Sequence, residues 1–279
     1  MALFSTIPTR HDAVIHDERV HASVKEGIRA GFAAAFSAAH NDAQAFEDAV
    51  AKARREGARE VFLAVESVYS MDGDRAPLAE LLEIARRRDA VLVVDEAHAT
   101  GVFGPRGRGL CEELRDERLW TLHTCGKALG VSGALLAAPA VVTRQLVQAA
   151  RPFLFSTAPS PLTAALVRRA LRLVDEEPAR RKELLRLSCR AKRLIRPALG
   201  DWRLLGDRTQ ILPIVVGDDE RAVEVSAALK ERGLDLRPIR PPTVPEGAAR
   251  LRISLTCERT EAELEALAAA LKEAREHGA

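Results

Sequence analysis

This sequence has no charge excess, no membrane-length apolar run and no paired-cysteine motif. Its 42 basic and 40 acidic side chains leave a formal net charge of +2, too weak a field to draw the chain to nucleic acid or an anionic membrane. No apolar run approaches the roughly 20 residues that span a bilayer. The four cysteines, Cys111, Cys125, Cys189 and Cys257, lie far apart without a C-x-x-C pair. That spacing excludes a zinc ribbon or dithiol redox centre and suits a reducing compartment. The first residues lack the charged, apolar and small-residue order of a signal peptide. Repeats and low-complexity linkers are missing too, since the Ala-rich stretch 31–39 is too short to count. These absences predict a cytoplasmic protein that handles small molecules and pairs with its own copies, without nucleic acid, membrane or metal.

What is present is a chain of 279 residues, 47% of them hydrophobic, enough for a large domain with a smaller one attached. Short β-branched runs at 12–17, 60–65, 90–95, 119–124 and 134–138 read as strands, and 43–56 and 78–88 have helical spacing. Alternation of this kind marks parallel strands joined by crossover helices, so the expected class is α/β. The unbroken run Val91-Leu92-Val93-Val94 is that of a strand buried on both faces. A helical region over 161–199 breaks at Glu176-Glu177-Pro178. Beyond it, strands at 211–216, 234–239 and 250–255 with helices at 219–232 and 261–276 suggest a compact β-α-β-β-α unit. The expected organisation is a large domain over 1–160, linking helices over 161–200 and a small α+β domain over 201–279.

Chemistry concentrates at two strand ends. The run 91–94 leads directly into Asp95-Glu96-Ala97-His98 and then a glycine-rich stretch, 101–109. Ligands of open α/β sheets collect outside the carboxyl ends of the strands, which makes Asp95 and His98 candidates; the plain alternative is a turn cap and a satisfied polar residue. The strand 119–124 ends in Thr124-Cys125-Gly126-Lys127-Ala128-Leu129-Gly130. A lysine so placed suits Schiff-base chemistry, where partial desolvation and neighbouring cations release the neutral amine; its plain alternative is a head group reaching solvent. A nucleotide-binding P-loop is excluded, because Ala128 follows Lys127 and Thr121 stands where that loop needs its first glycine.

These segments resemble the α-oxoamine synthases, which are fold-type I enzymes dependent on pyridoxal 5'-phosphate (PLP). The resemblance is carried by an ordered set: Val20-His21-Ala22-Ser23, Glu66-Ser67-Val68-Tyr69-Ser70-Met71-Asp72-Gly73-Asp74, Asp95–His98 with the glycine-rich stretch, Thr124–Gly130, and Arg240-Pro241-Pro242-Thr243-Val244-Pro245. It implies a mainly parallel large domain, a small C-terminal domain and PLP as cofactor. Lys127 would carry the cofactor and act as base, Asp95 would pair with the pyridine nitrogen, His98 would bond the phenolic oxygen and His21 would stack on the ring. Ser70 and Thr124 match hydroxyls at the cofactor or its phosphate. Outside the resemblance, His21 reads as a helix-start residue and Ser70 and Thr124 as turn or cap residues. Arg252 matches the arginine that grips the substrate α-carboxylate, where a planar fork outperforms an ammonium; Arg250 is expected to face the other way as an ordinary edge-strand residue. Thr157, in Phe155-Ser156-Thr157, matches a group reaching the phosphate of a second subunit, implying a homodimer with a shared active site.

The motif from Arg240 through Thr243 resembles the oxononanoate synthases of the family and implies L-alanine and a pimeloyl thioester, on CoA or a carrier protein, as substrates. Another acyl-CoA:amino-acid condensation, of the glycine C-acetyltransferase type, shares the lysine and aspartate motifs. The resemblance also aligns Met1-Ala2-Leu3-Phe4-Ser5-Thr6 with a position well inside the large domain. A segment bearing the glycine-aromatic turn that cradles the cofactor phosphate is therefore expected to be missing, with marginal stability and exposed apolar surface as the consequence. A truncated homologue serving only as a dimer scaffold is the alternative from another class.

Overall fold

The computed structural model describes residues 1–276. The chain separates into two compact units, one of residues 1–69 and 75–176, the other of Ser70–Asp74 with the chain from Glu177 onward. The first contains α1 (Ala2–Thr6), β1 (Ala13–Asp17), α2 (Ala22–Arg29), β2 (Ala34–Ala38), α3 (Ala43–Arg55), β3 (Val61–Glu66), α4 (Leu78–Arg87), β4 (Val91–Asp95), β5 (Leu119–Thr124), β6 (Ala134–Ala137), α5 (Ala140–Ala149), α6 (Arg151–Leu154) and α7 (Pro161–Glu176). Its six strands run in the order β2-β1-β3-β4-β5-β6. Every neighbouring pair is parallel except β5 with β6.

The unbroken apolar strands follow from helices on both faces. Ile15, Leu63, Val65, Leu92 and Val94 pack in one core with Phe46 and Val50 of α3 and Leu81 and Leu82 of α4. The alternate residues Val14, Phe62, Ala64 and Val93 pack in another with Leu3, Phe4, Val24 and Ile28. Both halves of each central strand leave water, at about 1.5–3 kcal/mol per large side chain, so a polar residue is tolerated only at the strand ends. The mainly parallel α/β sheet expected from the sequence is present. β2 is the strand the pattern does not predict: four of its five residues are only partly buried or exposed, and its Ala-rich sequence has little strand propensity. Register with β1, from Ala13↔Ala34 to Asp17↔Ala38, holds it instead.

β1 ends in a polar knot that shapes the turn leading to His21. The Asp17 carboxylate, fully buried, accepts from His40 Nδ1 at 2.9 Å, the Asn41 amide at 2.9 Å and the Arg19 amide at 2.8 Å. Burial alone would raise this acid; the His40 bond and the two amides outweigh it and hold the carboxyl below its usual range.

The second unit contains α8 (Pro178–Ile195), a 3-10 turn (Arg196–Ala198), β7 (Arg203–Leu204), β8 (Ile211–Gly217), α9 (Asp219–Glu231), β9 (Pro238–Ile239), β10 (Ala249–Ser254) and α10 (Glu261–Glu276). Its antiparallel sheet has the order β7-β8-β10-β9. One face, with Leu212, Ile214, Leu251 and Ile253, packs with Leu187 and Ile195 of α8, Leu229 of α9 and Leu271 of α10. The strand expected over 234–239 is reduced to Pro238–Ile239. The Leu236 amide donates to Leu234 O in a turn, Ser226 Oγ donates to Leu236 O, and Pro238 has no N–H to give. The helical region over 161–199 divides at Pro178, with α7 in the first unit and α8 in the second. No helix among the described residues is long and apolar enough to cross a membrane.

Candidate active site

The carboxyl ends of β3, β4 and β5 lie side by side, with Glu66 in register with Asp95 and Asp95 with Leu122. Asp95 closes β4, and its Oδ1 accepts from the Ala97 amide at 2.9 Å, so it does cap the following turn. Burial raises its pKa, while the Ala97 bond and the positive charges of Lys127 and His21 act in the opposite direction. Asp95 thus lies within electrostatic reach of an amine and an imidazole from two other segments. A cation placed against Asp95 is stabilised by an anion in a weakly screened setting.

Lys127 sits in the hairpin loop joining β5 to the antiparallel β6. The loop base is closed by Cys125 N–H to Gly133 O and Val131 N–H to Cys125 O, both 2.9 Å, and its tip by Gly130 N–H to Lys127 O at 3.0 Å. Gly130 takes φ +65°, a turn conformation that glycine adopts without strain. Cys125 is buried whereas Lys127 is exposed. The desolvation expected for the lysine is therefore not supplied by packing around the loop. His21 is the N-cap of α2: its Nδ1 accepts from the Ser23 amide at 3.2 Å and meets Ser23 Oγ at 2.9 Å. The helix-start reading of His21 holds.

Glu96 is the structural residue that the motif reading passed over. It is fully buried and accepts from Ser67 Oγ at 2.6 Å, the Cys111 amide at 2.6 Å and the Leu110 amide at 3.1 Å. It thereby ties the end of β3 and the end of the glycine-rich stretch to the residue after Asp95. Its carbonyl accepts from Thr100 Oγ1, which meets His123 Nδ1 at 2.8 Å, and His123 Nε2 meets Thr121 Oγ1 at 2.9 Å. Burial lowers the pKa of His123 against the pull of Glu96 and Asp95. The neutral ring, protonated on Nδ1 toward Thr100, completes the chain of bonds from β4 to β5. An acidic residue followed by a glycine thirteen positions on is too common a pattern to reveal such a contact.

The remaining candidates differ in setting. Thr124 ends β5 with its Oγ1 buried and without a hydrogen-bond partner among the described residues, the state of a hydroxyl that a ligand would satisfy. His98 is half-buried in the turn after Asp95. Thr157 lies in an exposed stretch, 151–162, that no described contact joins to Asp95 or Lys127. Ser70, Arg240, Thr243 and Arg252 belong to the second unit. There Arg252 Nε donates to Ser70 O at 2.6 Å, while Arg240 and Thr243 are exposed in a turn closed by Thr243 N–H to Arg240 O. Arg250 corrects its expectation: it is buried and ion-paired with Asp72 at 2.6 Å. Two residues apart on one strand, it faces the same way as Arg252.

The chain matches the family described as aminotransferase class I and II over residues 1–271. It is 43% identical over 276 residues to an 8-amino-7-oxononanoate synthase of Aromatoleum aromaticum, covering 97% of this chain and 70% of that protein. It is 38% identical to the enzyme of the same name from Methylobacillus flagellatus, covering 96% and 67%. Among solved structures, Sphingomonas wittichii serine palmitoyltransferase superposes with a TM-score of 0.92 at 28% identity over 99% of this chain and 70% of that one. A high-resolution structure of SPT with PLP superposes at 0.91 and 27% identity, with coverages of 99% and 70%.

The clamp around Glu96 makes a paired prediction. Gly109 takes φ +108°, and a Cβ there would lie 2.5 Å from the Glu96 carboxyl carbon, whereas one at Gly126 would meet nothing within 4 Å. Gly109→Ala is expected to destabilise the fold by about 2 kcal/mol or more, and Gly126→Ala to change it by under about 0.5 kcal/mol. Thermal melts of the two variants read the difference; equal melting temperatures would contradict the clamp.

Proposed function

The chain belongs to the aminotransferase class I and II family and, within it, to the α-oxoamine synthases; from that membership we propose that it condenses L-alanine with a pimeloyl thioester to give 8-amino-7-oxononanoate, releasing carbon dioxide and CoA or carrier protein. The observation that carries the reading is the carboxyl edge of the sheet, where half-buried Asp95 closes β4 and the Lys127 loop with its orphaned Thr124 hydroxyl follows the adjacent β5. The printed name of relatives at 38–43% identity supports the substrate pair.

PLP, the cofactor of the family, supplies an electron sink for a carbanion at the amino-acid Cα when bound. The residues present fit it. Lys127 offers the amine, Asp95 a carboxylate for the ring nitrogen, His21 an imidazole for the ring, His98 a donor for the phenolic oxygen, and Thr124 the orphaned hydroxyl for a phosphate oxygen. With the cofactor bound, Lys127 Nζ would, as the free amine, take the proton from the substrate Cα and later return it. Asp95 keeps a proton on the ring nitrogen, because its anion is most stabilised by a cation directly against it. Arg252 takes the substrate carboxylate in a two-pronged grip. Ser70 serves the cofactor, and Arg240 and Thr243 contact the substrate.

The partner is a second copy of the chain, with Thr157 reaching the neighbouring phosphate. The support is an uncovered apolar strip in the first unit: α7 buries none of its residues, and Phe153, Phe155, Leu162 and Val141 are 57%, 75%, 66% and 64% exposed. Large apolar side chains this exposed suit a covering partner. Sedimentation equilibrium is expected to give a dimer that Phe155→Asp shifts toward monomer; a wild-type monomer at all concentrations contradicts the pairing.

An absorbance titration with PLP tests the chemistry. A cofactor band is expected that depends on Lys127, vanishes in Lys127→Ala, and shifts with L-alanine more than with glycine or L-serine. A band indifferent to Lys127→Ala would refute the site. A Lys127-dependent band that responds to glycine instead would favour the acetyltransferase-type alternative, and no band at all would favour the scaffold.

A further inference from the structure

The five residues Ser70–Asp74 interrupt the first unit in sequence yet belong to the second, and two arginines of one strand account for much of that attachment. Arg250 and Arg252 alternate with Leu251 and Ile253 along β10, so they share the sheet face opposite the helix-packed one. Arg250 Nη1 pairs with Asp72 Oδ1 at 2.6 Å and donates to Met71 O at 3.2 Å, and its Nε donates to Ala248 O at 3.0 Å. Arg252 Nε donates to Ser70 O at 2.6 Å. The other end of the segment is fixed at Gly73, whose carbonyl accepts from Thr209 Oγ1 at 2.7 Å and the Asp207 amide at 3.1 Å. Gly73 takes φ +65°, and a Cβ there would lie 2.6 Å from Ile211 O, so the segment approaches β8 as closely as a backbone can.

Asp72 and Arg250 are both buried. A pair like this is a poor stabiliser, since apolar residues of similar volume often hold a fold as well. What it supplies is direction: a guanidinium with three donors engaged fixes where the peptide from Ser70 to Asp72 lies. We propose that the Asp72–Arg250 pair positions Arg252, by setting the Ser70 carbonyl that holds its Nε and therefore the plane in which its guanidinium meets a substrate carboxylate. The role rests on the reading of Arg252 as the carboxylate-binding residue. Arg250 and Asp72 act only through that side chain, as positioning residues. The segment and Arg252 form one unit, in which Ser70 contributes its carbonyl as well as its hydroxyl.

The test is a spectral titration of the PLP-loaded chain with L-alanine, after thermal melts have shown each variant folded. Asp72→Asn is expected to raise the apparent Kd for L-alanine on the order of tenfold, with PLP affinity changed far less. Arg252→Ala is expected to raise it at least as far, and the double variant no further than Arg252→Ala alone, because both act through one contact. Arg250→Lys keeps the cation, loses the fork, and should match Asp72→Asn; it stands in if Asp72→Asn fails to fold. An alanine affinity unchanged in Asp72→Asn and Arg250→Lys, or losses that add in the double variant, overturns the positioning role alone. A wild-type chain that binds PLP through Lys127 but ignores L-alanine overturns the substrate reading and this role with it.

Discussion

The geometry around Lys127 depends on one carboxylate that never meets water. Glu96 takes a side-chain hydroxyl from the end of β3 and two backbone amides from the end of the glycine-rich stretch, and Gly109 lies against it too closely for any side chain. A charge placed there without those donors would cost several kcal/mol; with them it fastens two chain segments to the residue next to Asp95. Asp95 then needs only its own Asx bond to Ala97 to hold its direction. Through Thr100 and His123 the same constraint reaches β5, whose far end carries Thr124 and the Lys127 loop. These supports are buried and saturated, while the Thr124 hydroxyl has no hydrogen-bond partner among the described residues.

The second unit repeats the device with opposite charge. A buried arginine, Arg250, takes the place of the buried glutamate, and it orders Ser70–Asp74 as Glu96 orders 109–111. In both cases a residue whose neighbour in the motif attracts attention turns out to be the anchor. Asp17, saturated by His40 and two amides, does the same for the turn that delivers His21.

How much of this could be read from the sequence follows from what each residue does. Apolar runs such as 91–94 identify themselves because burial on both faces demands them, and the alternation with helices made the parallel sheet legible. β2 escaped because register with β1, rather than its own alanines, makes it a strand. The stretch 234–237 read as a strand because its apolar residues suit one, while a side-chain bond from Ser226 and the proline after it decided otherwise. At the site, Lys127, Asp95 and His21 were legible as an ordered motif, and the charges of Lys127 and His21 act on Asp95. The exposure of Lys127 was not legible, since a buried strand says little about the loop beyond it. Glu96 and Arg250 were passed over or misdirected because an anchor is defined by partners distant in sequence, at Ser67 and Cys111 for one and at Asp72 for the other.

The central claim is that Lys127 is the amine that holds the cofactor beside Asp95. Borohydride reduction of the PLP-treated chain, followed by peptide mass mapping, tests it most directly, because reduction fixes the cofactor to whichever amine holds it. The account predicts a single pyridoxyl mass on the peptide containing Gly126-Lys127-Ala128, absent when Asp95→Ala removes the carboxylate that retains the ring. A label on another lysine, or one spread over several at comparable yield, would contradict it.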